Sequence, residues 1–196
     1  MPPLPKIAIG LRVHSGWAAM VAVAGSPAQP VIVDRQRIQI AESFGGGLVQ
    51  PYHTARDLGV ERGRAFLDEC RAASNTLATA SLEAAIKLAG GDRVQCCAVL
   101  TGSGRPSPTL ESTLASHAAI HTAEGEFFRE IVLHAASCCG LRVRRIKEKE
   151  LFDLAAREFG LAGAILQRTL NDFGKRIGPP WRQDQKFAAL AAWLVS

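Results

Sequence analysis

The sequence predicts an α/β domain built on one mixed sheet of five strands, three antiparallel and then two parallel, with flanking helices. Two kinds of observation carry this. The first third of the chain holds three β-branched or apolar runs joined by short turn segments, which reads as hairpin succession. The remainder alternates long helical periodicities with two short apolar runs, and a strand reached through a helix returns parallel to its neighbour.

The elements follow in order. Lys6–Ala24 holds two apolar runs separated by Ser15-Gly16, a pair that turns a tight hairpin because glycine accepts positive φ. The first run, Ile7–Leu11, is continuous rather than alternating, as expected of a central strand covered on both faces. Pro30–Ala41 is rich in Val and Ile and gives a third, antiparallel strand. On it Val31, Val33, Arg35, Arg37 and Gln39 fall to one face, opposite Ile32, Asp34, Ile38 and Ile40. Residues 43–59 read as a loop, because three successive glycines and a proline sustain neither regular structure. A helix over Val60–Ala89 is predicted by Phe66, Cys70, Ala73, Leu77, Ala80, Ala84 and Leu88 at steps of three and four, with Gly90-Gly91 ending it.

Arg93–Leu100 is a short internal strand. Thr101–Thr109 leads to a helix over Pro108–Cys139, with Ser107 as expected N-cap. Its expected apolar face carries Leu110, Leu114, Ala118, His121, Gly125, Phe128, Val132 and Ala135. Gly140 caps it, and Leu141–Ile146 is an arginine-studded edge strand. Two short helices over 149–173 follow, an insertion spanning about 149–177, and then a last helix over Trp181–Leu194. The whole reads as a single domain over 1–196.

Composition narrows the function classes. With 47% hydrophobic and 21% charged residues, the chain can bury a substantial core and general disorder is excluded. The formal charge of +5 mildly favours acidic partners, nucleic acid among them. Five cysteines include two adjacent pairs and no CxxC, so zinc-knuckle and thioredoxin readings fail; cysteines in apolar runs are expected as buried thiols in a reducing cytosol. No secretory signal or membrane-long apolar run is visible, so a bacterial-type cytoplasmic protein without membrane association is expected.

Three stretches resemble the ribonuclease H-like superfamily, and within it the RuvC-type Holliday junction resolvases. IGLRVHSGWAAMVAV resembles the resolvase opening strand and turn, AEGEFFREIVLHAASCCGLRV the helix and fifth strand, and DQKFAALAAWL the alanine-rich terminal helix. In that family two divalent metals, held by clustered carboxylates on the first strand, the fourth strand and the last helix, cut phosphodiesters. This chain departs from the pattern. Arg12 stands about where the first aspartate is expected, VQCCAVLTGSG carries no acid, and Asp184 is followed by Gln185, Lys186 and Phe187. The resemblance with these departures implies a pseudo-nuclease that binds nucleic acid or protein and needs no cofactor. The alternative is a divergent Mg²⁺- or Mn²⁺-dependent nuclease using Glu124, Glu126 and Asp184. A homodimer is implied by the resemblance alone.

Four constellations remain. Arg12, His14, His53, Glu124 and Lys186 are expected to form a polar cluster in place of the metal site, against the alternative that Arg12 and Lys186 reach solvent. His117, His121 and Glu124 share a helix face and offer a weak metal-site alternative to ordinary packing. Gly102, Ser103, Gly104 and Arg105 open toward a helix start, an anion-binding geometry without the lysine of a nucleotide-hydrolysing loop. Arg142, Arg144 and Arg145, with Trp181 for base stacking, are the expected nucleic-acid contacts, against a charge-defended edge strand and a hydrophobic plug.

Overall fold

The computed structural model describes residues 5–42 and 48–196. Five strands, β1 (Ile7–His14), β2 (Trp17–Ser26), β3 (Gln29–Gln39), β4 (Val94–Thr101) and β5 (Arg142–Lys147), form one sheet in the order β3-β2-β1-β4-β5. β1–β2 and β2–β3 pair antiparallel, β1–β4 and β4–β5 parallel, as the succession of runs predicts. β1 is central and β5 an edge. The imperfect alternation of β3 has a local cause: its register slips opposite Ala22 and Val23, so that Ala22 faces Asp34 while Val23 faces Ile32. Ladder pairing passes over Val33, which is exposed.

Helices cover both faces. Ile7, Ile9 and Leu11 of β1 pack with α2 (Val60–Ala89) and α4 (His117–Cys138) on one side. On the other, Val21, Val23, Ala98 and Leu100 pack under α5 (Leu151–Phe159), α6 (Gly163–Ile177) and α7 (Gln183–Trp193). The pleat turns Gly10 to the α7 side, where a Cβ would lie 1.9 Å from the Ala188 carbonyl oxygen. Ala188, Ala189, Ala191 and Ala192 are all buried, so small residues on both partners set this close approach.

Four expectations are corrected. Residues 51–58 are not loop: Pro51–Leu58 is a helix, α1, started by Pro51 in its first turn; residues 43–47 lie outside the described set. The buried face of α2 runs through Gly63, Leu67, Cys70, Ser74, Ala78, Leu82, Ala85 and Ala89, and Leu88 is 75% exposed. Alanine surrounds that helix, so spacing alone does not single out the covered stripe. The helix expected over Pro108–Cys139 is two, α3 (Leu110–Leu114) and α4, capped by Thr109 and Ser116 rather than Ser107. Finally, the covered face of α4 includes Ile120, Glu124, Phe127, Ile131 and Val132, which leaves His121 exposed.

All five cysteines are free, and their settings differ. Burial pushes the Cys97 thiol, in the middle of β4, up to about 12, and Cys139 up to about 11. A thiol raised in the folded state stabilises the fold fully below its ordinary value of 9.0, and that contribution fades as pH climbs toward about 12. Alkylation at mildly alkaline pH, read by mass spectrometry, is therefore expected to modify exposed Cys138 first and Cys97 only after unfolding.

Candidate functional site at the carboxyl end of the sheet

Gly10, Arg12 and His14 alternate with core residues along β1, so the pleat delivers the last two to the α7 side just where the strand ends. The first turn of α7 meets them with Asp184, a position where a carboxylate suits the helix dipole. β5 ends beside β4 and turns directly into a 3-10 segment, Glu148–Glu150.

Arg12 joins these elements. Its Nε donates to Glu148 Oε2 at 2.9 Å and its Nη2 to Glu148 Oε1 at 2.7 Å, a two-pronged fork. Its Nη1 donates to Asp184 Oδ1, which also meets His14 Nε2 at 2.9 Å. The guanidinium is 15% exposed and lies 4.9 Å from the Phe187 ring centroid. The hydrogen bonds Arg12 donates to Glu148, then that carboxylate's charge and the charge of Asp184, raise the Arg12 pKa against the lowering effect of burial. His14 stacks on Trp17 with ring centroids 4.4 Å apart, and Arg37 lies 4.0 Å from the Trp17 centroid.

Beside this network lies a cleft of about 510 Å³ lined by Val13, Gly102, Arg129, Glu148, Lys149 and Phe187, among others. Several cations on segments at this end of the sheet have no carboxylate partner among the described residues, among them Arg105 after β4, Lys149 after β5, and Arg182 and Lys186 at the start of α7. The two carboxylates that approach β1 are both engaged by Arg12. A pair of divalent cations needs a surplus of carboxylate oxygens, and the guanidinium supplies the charge that a metal would. Here both nearby carboxylates are engaged by a cation of the chain itself.

The expected polar cluster divides in two. Arg12 and His14 bond Asp184 and Glu148, not Glu124; Glu148 gave no signal because it sits in the alternating run KEKE. Glu124, on α4, instead accepts from His53 of α1, Oε1 to Nδ1 at 2.9 Å. Lys186 is half-buried and pairs with neither. Glu124, Glu126 and Asp184 have separate partners: Glu126 pairs with Arg129 at 2.8 Å, Glu124 with His53 and Asp184 with Arg12.

The arginines of β5 are largely neutralised. Arg144 pairs with Glu158 and Arg145 with Glu130 at 3.6 Å, which leaves Arg142 exposed and without a carboxylate partner among the described residues. Trp181 is the plug, not a stacking platform: its Nε1 donates to the Leu170 carbonyl at 2.6 Å and its ring lies against Gly174. The loop Gly102, Ser103, Gly104 and Arg105 does not run into a helix start as expected. The first turn of α3 begins at Leu110 and is capped by the Thr109 hydroxyl, which accepts from Ser112 N–H at 3.1 Å. Backbone of that loop does approach a cation, because a Cβ on Gly102 would lie 2.9 Å from the Arg129 guanidinium.

No family model matches the sequence, and a search of curated proteins finds no similar one. Solved structures do resemble the fold. Thermus thermophilus RuvC is similar with a TM-score of 0.51 and 10% sequence identity, over 96% of this chain and 92% of that one. T. thermophilus RuvC in complex with Holliday junction substrate gives a TM-score of 0.48 at 10% identity, over 96% and 91%. No helix of the described residues is long and apolar enough to cross a membrane. Strand order, strand directions and the RuvC likeness together establish a ribonuclease H-like fold in its RuvC-like form.

Proposed function

We propose that this chain is a nucleic-acid-binding ribonuclease H-like domain that does not cut through a two-metal centre. One observation carries the reading. The Arg12 guanidinium occupies the carboxyl end of β1 and ties up both Glu148 and Asp184. The oxygens that would gather cations are spent on an internal ion pair.

Binding, rather than inert scaffolding, is supported by where the remaining charge lies. Arg105, Lys149, Arg182 and Lys186, on segments at the same end of the sheet, have no carboxylate partner among the described residues, in a chain of net charge +5. Cations of this kind attract a phosphate backbone without reading sequence. The alternative of a divergent nuclease loses its proposed ligand set, since Glu124, Glu126 and Asp184 are engaged separately.

The test is fluorescence anisotropy with labelled duplex and four-way-junction DNA, alongside incubation of the same DNA with Mn²⁺. Four phosphate contacts predict roughly a hundredfold loss of affinity between about 50 and 200 mM salt. Lys149→Glu with Arg182→Glu is expected to weaken binding and flatten that slope, because both side chains are exposed and neither supports the core. Manganese-dependent cleavage that disappears in Asp184→Asn sinks the non-cutting reading. Absence of salt-dependent binding to either DNA sinks the nucleic-acid reading and leaves a protein partner.

A further inference from the structure

Away from the Arg12 network, α1 and α4 bring three imidazoles together. His53 lies in the first turn of α1, His117 opens α4, and His121 follows one turn later. One ring nitrogen from each lies within 4.8 Å of the other two, and Nε2 of His117 is 3.0 Å from Nε2 of His121. Ring centroids are 5.5, 5.1 and 4.4 Å apart.

Behind His53 sits Glu124, a carboxylate only 5% exposed, whose Oε1 is 2.9 Å from His53 Nδ1 and 3.4 Å from the His53 backbone N–H. An acid this buried must have a partner, and α4 supplies it nothing else among the described hydrogen bonds. The arrangement fixes the His53 tautomer: Nδ1 carries the proton donated to Glu124, which leaves Nε2 as the free ligand atom.

We infer that His53, His117 and His121 form a binding site for a divalent transition-metal ion, zinc in particular, with Glu124 as the positioning carboxylate behind His53. Tetrahedral zinc with nitrogen ligands at about 2.0–2.1 Å sets neighbouring nitrogens roughly 3.3 Å apart, so small rotations of two exposed side chains complete the set. Three imidazoles and no carboxylate ligand select zinc over magnesium or calcium. The exposure of His117 and His121 leaves the fourth position to water, and the ion would clamp α1 to the start of α4.

The spacing of His117 and His121 shows in the sequence, but Glu124 is not the third ligand there. It orients one, and the third ligand comes from a segment about seventy residues earlier, the distance from His53 to Glu124 being 71 positions.

The full chain, stripped with a chelator and dialysed, is titrated with Zn²⁺ by calorimetry. One equivalent is expected. His117→Ala and His121→Ala should each weaken it at least a hundredfold while leaving the metal-free melting temperature unchanged, since both side chains are exposed. Glu124→Gln should weaken it about ten- to a hundredfold. Cobalt substitution should give the visible absorption of a four-coordinate site, lost in His121→Ala. No stoichiometric binding, or an affinity within threefold of wild type in His121→Ala, overturns the site. Unchanged zinc affinity in Glu124→Gln overturns the positioning role.

Discussion

Gly10→Val is expected to destabilise the fold by more than about 4 kcal/mol. A Cβ at residue 10 would lie 1.9 Å from the Ala188 carbonyl oxygen, 2.7 Å from the Ala192 nitrogen and 2.9 Å from the Ala188 carbonyl carbon. All three obstacles are backbone, so no rotamer change relieves them. To reach ordinary contact near 3.4 Å, α7 must retreat from β1 by about 3.4 − 1.9 = 1.5 Å. That retreat breaks the packing of the four buried alanines and moves Asp184 away from Arg12. Overpacking against movable side chains costs about 1–3 kcal/mol; against a helix backbone at the centre of the sheet more than about 4 kcal/mol is expected. For a domain of about 5–15 kcal/mol total stability, that removes roughly a quarter or more of the margin. Urea unfolding followed by circular dichroism measures it, with Gly163→Ala as control: a Cβ there meets nothing within 4 Å, and the variant should be unchanged or slightly more stable. A Gly10→Val protein that unfolds within about 1 kcal/mol of wild type would mean that α7 does not rest on β1 as described.

The sheet was legible because its signals are local. Continuous apolar runs marked β1, β2 and β4, and a glycine turn marked the hairpin, so strand count and direction followed. What failed was facing. α2 and α4 carry small or apolar residues around much of their circumference, and a stripe chosen by spacing alone put Leu88 and His121 inside when both are exposed. The site was half legible. That Arg12 displaces an expected acid, and that Asp184 stands at the last helix, could be read by comparison with a pattern. That Glu148 completes the network could not, because it is 136 positions from Arg12 and sits in a charged run typical of any solvated turn. His53 was named together with Glu124, which it does bond, but its helix was read as loop, because the glycines before it hid the start that Pro51 announces.

The charge argument at Arg12 makes a second large prediction. Arg12→Asp removes a guanidinium that donates to two carboxylates and puts a third negative charge beside them. Breaking the pair leaves Glu148 and Asp184, 36% and 26% exposed, to repel the newcomer without the guanidinium that bridged them. Partial solvation moderates the cost, so a loss of about 2–4 kcal/mol is expected at low salt, or roughly 5–15 °C in melting temperature for a chain of this size. The same change assembles three carboxylates at the end of β1, which is what a hard divalent cation requires. Magnesium at a hundredfold over its dissociation constant would return about 2.7 kcal/mol, because it binds the folded chain and not the unfolded one. Thermal melts with and without Mg²⁺ therefore separate the causes. Arg12→Met, which removes the cation without adding an anion, should be destabilised and gain far less from Mg²⁺, and wild type should be indifferent to it. Magnesium is the right probe because an all-imidazole site on α1 and α4 discriminates against it, so a shift in Arg12→Asp reports the β1 carboxylates alone. A wild-type protein stabilised by Mg²⁺ as strongly as Arg12→Asp would show that Glu148 and Asp184 are free to hold metal with Arg12 in place, and the reading of a domain that has traded its cations for an arginine would fall with it.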